Sequence, residues 1–205
     1  MMAIASELDE IVNEIARCRI CRDNPVGKPL PHEPRPVLQP SSTARILIAG
    51  QAPGTRVHAS GKPFTDPSGD RLRTWLGIGP EIFYDPQHIA ILPMGFCFPG
   101  LSAKGADLPP RPECGRAWRT RILAAMPQIE LVIGLGVHAL RWHLGERYQG
   151  SLDQSVAAWR EGLALSPVVF ALPHPSWRNN AWLKRNPWFE TDLLPVLRRE
   201  VAARL

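Results

Sequence analysis

Four short apolar runs constrain this chain more than any other feature. They are Arg45-Ile46-Leu47-Ile48-Ala49, Ile89-Ala90-Ile91-Leu92, Leu131-Val132-Ile133 and Val168-Val169-Phe170-Ala171-Leu172. Each is too short for a helix, and unbroken rather than alternating apolar character means burial on both faces. Strands of that kind sit in parallel sheets, which need long crossover connections, usually helical. Helical patterns fall outside and between the runs. Ser6 opens a first helix with Asp9 as its capping partner, and Leu8, Ile11, Val12 and Ile15 form the apolar face. Residues 69–77 and 112–125 read as helical, as does a segment from about Val137. Asn186-Pro187 reads as the N-cap and first residue of a last helix. Its apolar face is Leu193, Leu194, Leu197 and Val201, with Pro195 weakening the first turns. This alternation predicts a three-layer α/β/α sandwich around a mostly parallel four-stranded sheet, one domain over residues 1–205.

Composition removes whole classes of function. An apolar share of 44% and a charged share of 21% suit a globular protein. No run of about 18 apolar residues offers a membrane span, and the N-terminus lacks a basic stretch followed by an apolar one. A cytoplasmic monomer with no membrane partner is expected. The formal net charge of +5 favours a polyanionic partner without naming one. Residues 25–40 hold six prolines, so no helix or central strand forms there. The segment reads as a loop over the surface, either ordered or mobile.

In open parallel sheets, ligands bind outside the carboxyl ends of the strands. Three glycine- or proline-bearing segments follow strand ends here: Gly50–Gly54, Pro93–Gly100 and Pro173–Asn179. Their convergence locates a site. The cysteines add a second constellation. Cys18 and Cys21 form a C-x2-C pair after the first helix, and sixteen residues separate Cys97 from Cys114. Four thiolates suit a metal centre better than four inert thiols in a reducing compartment. Zinc and a [4Fe–4S] cluster both accept such a set, and spacing does not choose between them.

The ordered motifs resemble one family. Gly50-Gln51-Ala52-Pro53-Gly54, six further residues, Gly61-Lys62-Pro63-Phe64 and then Thr65-Asp66-Pro67-Ser68-Gly69-Asp70 are similar to the first motif of the iron–sulfur uracil-DNA glycosylases. His174-Pro175-Ser176 after the last strand resembles the superfamily's second motif, and the cysteine spacing resembles that branch. These features span residues 18 to about 185. The resemblance implies hydrolysis of the N-glycosidic bond of uracil or a related deaminated base in DNA, starting base-excision repair. It also implies that Cys18, Cys21, Cys97 and Cys114 hold a [4Fe–4S] cluster, with zinc as the alternative.

Catalysis of this kind needs a pocket for a flipped nucleotide. The resemblance gives Gly50, Gln51 and Ala52 a base-binding role, with the Gln51 side chain positioning water or a carbonyl. Phe64 is the stacking platform. By the same resemblance, His174 is expected to donate to the pyrimidine O2 and stabilise the departing anion. The most efficient uracil-DNA glycosylases carry aspartate where this chain has Ala52, and many iron–sulfur relatives carry glutamate where it has Gln51. No carboxylate therefore stands inside the motif. Asp66 is the nearest substitute, either as a catalytic carboxylate or as a helix cap. His58 stands where many relatives have an acidic residue, to contact the base or line the loop. Pro93 replaces an asparagine that uracil-preferring relatives often use to read the pyrimidine, which points to a broader range of deaminated bases.

DNA contact is expected after the second motif. Ser176 suits a phosphate, Trp177 and Arg178 the minor groove or the flipped base's place, and Asn179 the base. Lys184 and Arg185 extend a basic-aromatic stretch. Two other readings remain at this point. One is a non-catalytic DNA-binding protein that senses lesions; the other is a cluster-bearing redox or scaffold protein.

Overall fold

The computed structural model describes residues 2–205 in the backbone and residues 7–205 in the side chains. Four strands form the centre: β1 (Ile46–Ala49), β2 (Ile89–Ile91), β3 (Leu131–Leu135) and β4 (Val168–Leu172). Their order is β2-β1-β3-β4, and every pairing is parallel. Ile46 and Ile48 of β1 lie opposite Ile89 and Ile91 on one side and Leu131 and Ile133 on the other.

Successive strand residues point to opposite faces, and both faces are covered. Ile46, Ile48, Ile91, Ile133 and Phe170 pack into one core with Trp75, Leu76, Phe189, Leu193 and Leu197. Leu47, Ala49, Ala90, Val132 and Val169 pack into the other with Leu8, Ile11, Ile15, Trp118 and Ile122. The expected three-layer sandwich follows. Among the described residues no helix is long and apolar enough to cross a membrane.

Helix α1 (Met2–Ala16) contains Ser6 rather than beginning at it. Met2 to Ala5 are themselves good helix formers, so the helix extends back past the expected cap. Helices α2 (Ile20–Asp23), α3 (Thr55–Ser60) and α4 (Pro67–Leu76) follow. α4 starts two residues before the expected 69 and ends on Gly77 in the left-handed conformation. The 112–125 segment is helical in three pieces, with a π-turn at Gly115–Arg119.

A second π-turn, Phe189–Leu193, leads into helix Leu194–Ala202. It precedes Pro195, whose ring would clash with an α-helical carbonyl four residues earlier. Asn186 does not cap this last helix. Its Nδ2 donates to the Trp182 carbonyl and its Oδ1 accepts from Trp188 Nε1.

The proline-rich segment is tied down rather than free. Val37 N donates to the Phe96 carbonyl, and Gln39 bridges antiparallel to Ile91 at the sheet edge. The Arg35 guanidinium donates to the carbonyls of His58 and Ala59, fastening the segment to α3.

Candidate active site

The strand ends carry the site. Beyond β1 the chain passes through Gly50–Gly54 into α3, and Gly50 and Gln51 carbonyls accept from Met94 and Gly95 N–H beyond β2. Gln51 Nε2 donates to the Leu108 carbonyl at 3.1 Å, joining this turn to the long loop after β2. The result is a pocket lined by Gly50 to Gly54, Val57, Pro63, Phe64, Asp66, Ser68, Pro93, Asp107 and His174.

Phe64 forms one wall. Its φ is +52°, in the left-handed region that side chains other than glycine seldom occupy. Three contacts hold it there. Its carbonyl accepts from Tyr84 Oη at 3.0 Å and from Arg73 Nη1 at 3.5 Å. Its ring meets Phe83 edge-on, with centroids 5.8 Å apart. Gly69 leaves room for the Phe64 carbonyl against the first turn of α4, where a Cβ would collide with it. Gly50 lies beside the Phe64 ring, 3.6 Å from where a Cβ would stand.

Asp66 caps α4 and also reaches the pocket. Its Oδ1 accepts from Ser68 Oγ at 2.6 Å and from Gly69 N at 3.3 Å, capping α4. His174 follows β4 and is half-buried. Burial pushes its pKa below the ordinary histidine value, more than the charges of Asp66 and Asp107 raise it, and Arg178 lowers it further. The imidazole is therefore neutral near pH 7, with an N–H to donate and no charge of its own. Asn179 Nδ2 donates to the His174 carbonyl at 2.7 Å and so fixes the backbone of this loop.

Outside the pocket lies a wider groove. It is lined by Arg56, Pro67, Arg71, Ser176, Trp177, Arg178 and Asn179, and it shares Gln51, Ala52, Asp66, Ser68, Asp107 and His174 with the pocket. Arg71 Nη1 donates to the Ser176 carbonyl and to Asn180 Oδ1. Trp177 is 73% exposed, which is unusual for so large an apolar group, and the Arg178 guanidinium lies 5.7 Å from its ring centroid.

Not every expected residue arrives. His58 is outside the pocket. It packs against His32 and Phe98 under the proline-rich segment, with ring centroids 4.3 and 5.7 Å away. Val57 takes the pocket-facing position, and the next residue on a helix points about 100° away. Asn179 lines the groove rather than the pocket. Lys184 and Arg185, at the exposed end of helix Asn180–Arg185, line neither. Asp107, Arg56 and Arg71 were not foreseen. For Arg71 a signal existed: Pro67, Ser68 and Arg71 stand at helical spacing on one face of α4.

The four cysteines do come together. Cys18, Cys21, Cys97 and Cys114 line one small cavity with Phe96 and Trp118. Trp118 Nε1 donates to Cys18 Sγ at 3.3 Å, and Phe96 N to Cys114 Sγ at 3.4 Å. Burial pushes the Cys21 thiol up to about 11 and those of Cys97 and Cys114 up to about 12. Four thiols around one cavity are a donor set that zinc and a [4Fe–4S] cluster both accept.

A doubly covered parallel sheet, a pocket at its carboxyl ends with an aromatic wall and a neutral histidine, and an arginine-bearing groove at the mouth define an α/β protein with its candidate active site beyond the strand ends. The family model described as the uracil DNA glycosylase superfamily matches residues 37–198. The chain belongs to that superfamily.

Proposed function

We propose that the protein is a DNA glycosylase of the iron–sulfur branch, hydrolysing the N-glycosidic bond of uracil or a related deaminated base and leaving an abasic site. The observation that carries this reading is that Phe64 and His174 line one pocket that opens into an arginine-bearing groove. Arg56, Arg71 and Arg178 meet the phosphates, and Trp177 occupies the space a flipped nucleotide leaves in the stack. The extruded base stacks on Phe64, with Gly50 allowing close approach beneath it.

Cleavage leaves electrons on the base and positive character on the sugar. The neutral His174 N–H donates to the pyrimidine O2 as that charge develops. A neutral donor avoids burying a cation before the anion exists. Asp66 stands at the mouth, where its negative charge favours the cationic sugar. Pro93 offers no side-chain donor or acceptor toward the base. The pocket therefore discriminates among deaminated bases weakly, and hypoxanthine and xanthine join uracil as candidates.

Cys18, Cys21, Cys97 and Cys114 would hold a [4Fe–4S] cluster, which when bound ties α2, the loop after β2 and the 112–125 helix into one rigid unit. Iron analysis of anaerobically purified protein tests this: about four irons per chain with broad absorbance near 400 nm are expected. One zinc per chain, or no metal, would contradict it. For the activity, oligonucleotides with a single uracil, hypoxanthine or xanthine are incubated with the protein and then treated with alkali. Strand breaks at the modified site are expected. Lesion-selective binding without base release would instead support the non-catalytic sensor.

A further inference from the structure

The first motif supplies no carboxylate, and Asp66 commits one oxygen to the cap of α4. A second acid stands at the same place. Asp107 belongs to the loop after β2, far from both motifs in sequence, and lines the pocket and the groove together. Only residues at the junction do so, and they include both aspartates and His174. That junction is where chemistry at the sugar must occur. A base held deep against Phe64 leaves its C1′ at the pocket mouth, and the attacking water must approach there, opposite the departing base.

Asp107 is exposed, and among the described residues its carboxylate takes part in no hydrogen bond or ion pair, so it is open to water. Its backbone is nonetheless held. Leu101 and Asp107 form an isolated antiparallel bridge, Leu108 N donates to the Gly100 carbonyl, and Gln51 grips the Leu108 carbonyl. A Cβ on Gly54 would lie 3.6 Å from Asp107 Oδ2, so the carboxylate rests against the first motif itself. A fixed backbone with a free carboxylate at the mouth is the arrangement a general base needs. It also gives the Gln51 amide a role: it anchors the loop that brings the acid in.

We propose that Asp107 holds and deprotonates the attacking water, supplying from a separate loop the carboxylate that Gly50–Gly54 lacks. The assignment rests on the glycosylase reading. In the step, the C1′–N bond breaks and its electron pair leaves with the base. The water oxygen forms the new bond to C1′, its proton passes to Asp107, and an equivalent proton finally reaches the free base. Gln51 is then a positioning residue that acts through the Leu108 carbonyl.

The test is single-turnover base release from an oligonucleotide carrying the best substrate, with binding measured on a 2′-fluorinated, uncleavable version of the same DNA. Asp107→Asn is expected to slow release about 100-fold or more, with affinity for the uncleavable DNA changed less than threefold. Sodium formate is expected to restore part of the rate to Asp107→Gly, because a small carboxylate fits the space left, and to leave Asp66→Gly unrescued. Wild-type release rates in Asp107→Asn, beside an active wild-type protein, would overturn the role of Asp107 and leave the glycosylase reading standing. Rescue of Asp66→Gly instead would hand the role to Asp66. No release by the wild-type protein from any deaminated base would overturn both readings.

Discussion

Replacing Gly69 by alanine separates two consequences that usually travel together. Gly69 lies in the first turn of α4, directly against Phe64. A Cβ there would fall inside the envelope of the Phe64 carbonyl oxygen, and 2.8 and 2.9 Å from that residue's carbonyl carbon and Cβ. Neither neighbour is the loose end of a flexible side chain, so something must move. Overpacking of this sort costs about 1–3 kcal/mol. Within a helix, alanine is preferred to glycine by about 1 kcal/mol. The two largely offset, and the net loss of stability is expected to be about 0–2 kcal/mol. Catalysis has no such compensation. The collision is relieved by moving Phe64, which already holds an unfavourable φ and forms the pocket wall. A displacement of about 1 Å at a reacting site can cost about 100-fold in rate. Gly69→Ala is therefore expected to melt within a few degrees of the wild type while base release falls at least tenfold. Urea denaturation and single-turnover release on the same preparation measure both. A variant as stable and as active as the wild type would refute the idea that Gly69 and the strained Phe64 backbone shape the site.

Three further outcomes follow from other parts of the structure. His174→Ala is expected to lower release about 100- to 1000-fold with little change in the affinity for uncleavable lesion DNA; near-wild-type rates would remove the histidine from the mechanism. Burial pushes His143 down to about 3, while the unfolded chain takes up that proton near about 6.5. The folded state thus binds fewer protons between these values, so its stability is full above pH about 6.5 and falls as pH drops toward 3, by up to about 1.4 kcal/mol per unit. Melting curves of His143→Gln should show a shallower decline over that window, and an unchanged slope would argue against the buried neutral ring. Arg71→Ala should weaken DNA binding equally for lesion-bearing and intact duplex and lower the salt slope by about 1; a loss confined to lesion DNA would move Arg71 from the phosphates to the base.

The sheet was legible because its strands are buried on both faces and so read as continuous apolar runs. The bounds expected for β4 coincide with those observed, and the other three differ at their ends. The site was legible where it lies in one stretch of chain at a strand end: Gly50 to Ala52, Phe64, Asp66 and His174 all meet in the pocket. His58 failed because its neighbour Val57 takes the pocket face of a short helix, and register of that kind depends on tertiary docking. Asp107 was invisible for a different reason. It sits in a glycine- and proline-rich loop with no period, and only the bridge to Leu101 and the grip of Gln51 bring it to the mouth. The cysteines were legible as a set that lines one cavity; the group they hold was not, because spacing does not choose between cluster and zinc. Ser6 was misleading because a residue suited to a cap is also tolerated inside a helix that begins earlier.

On the proposed function, the pocket lined by Phe64 and His174 releases a deaminated base from DNA. The most direct test is the release of free base, read by chromatography, from oligonucleotides with one uracil, hypoxanthine or xanthine in single- and double-stranded form. Free base is expected from at least one of them, matched by an equal yield of alkali-sensitive abasic sites, with release strongly reduced in His174→Ala. Folded protein that binds these oligonucleotides and frees no base from any of them would contradict it.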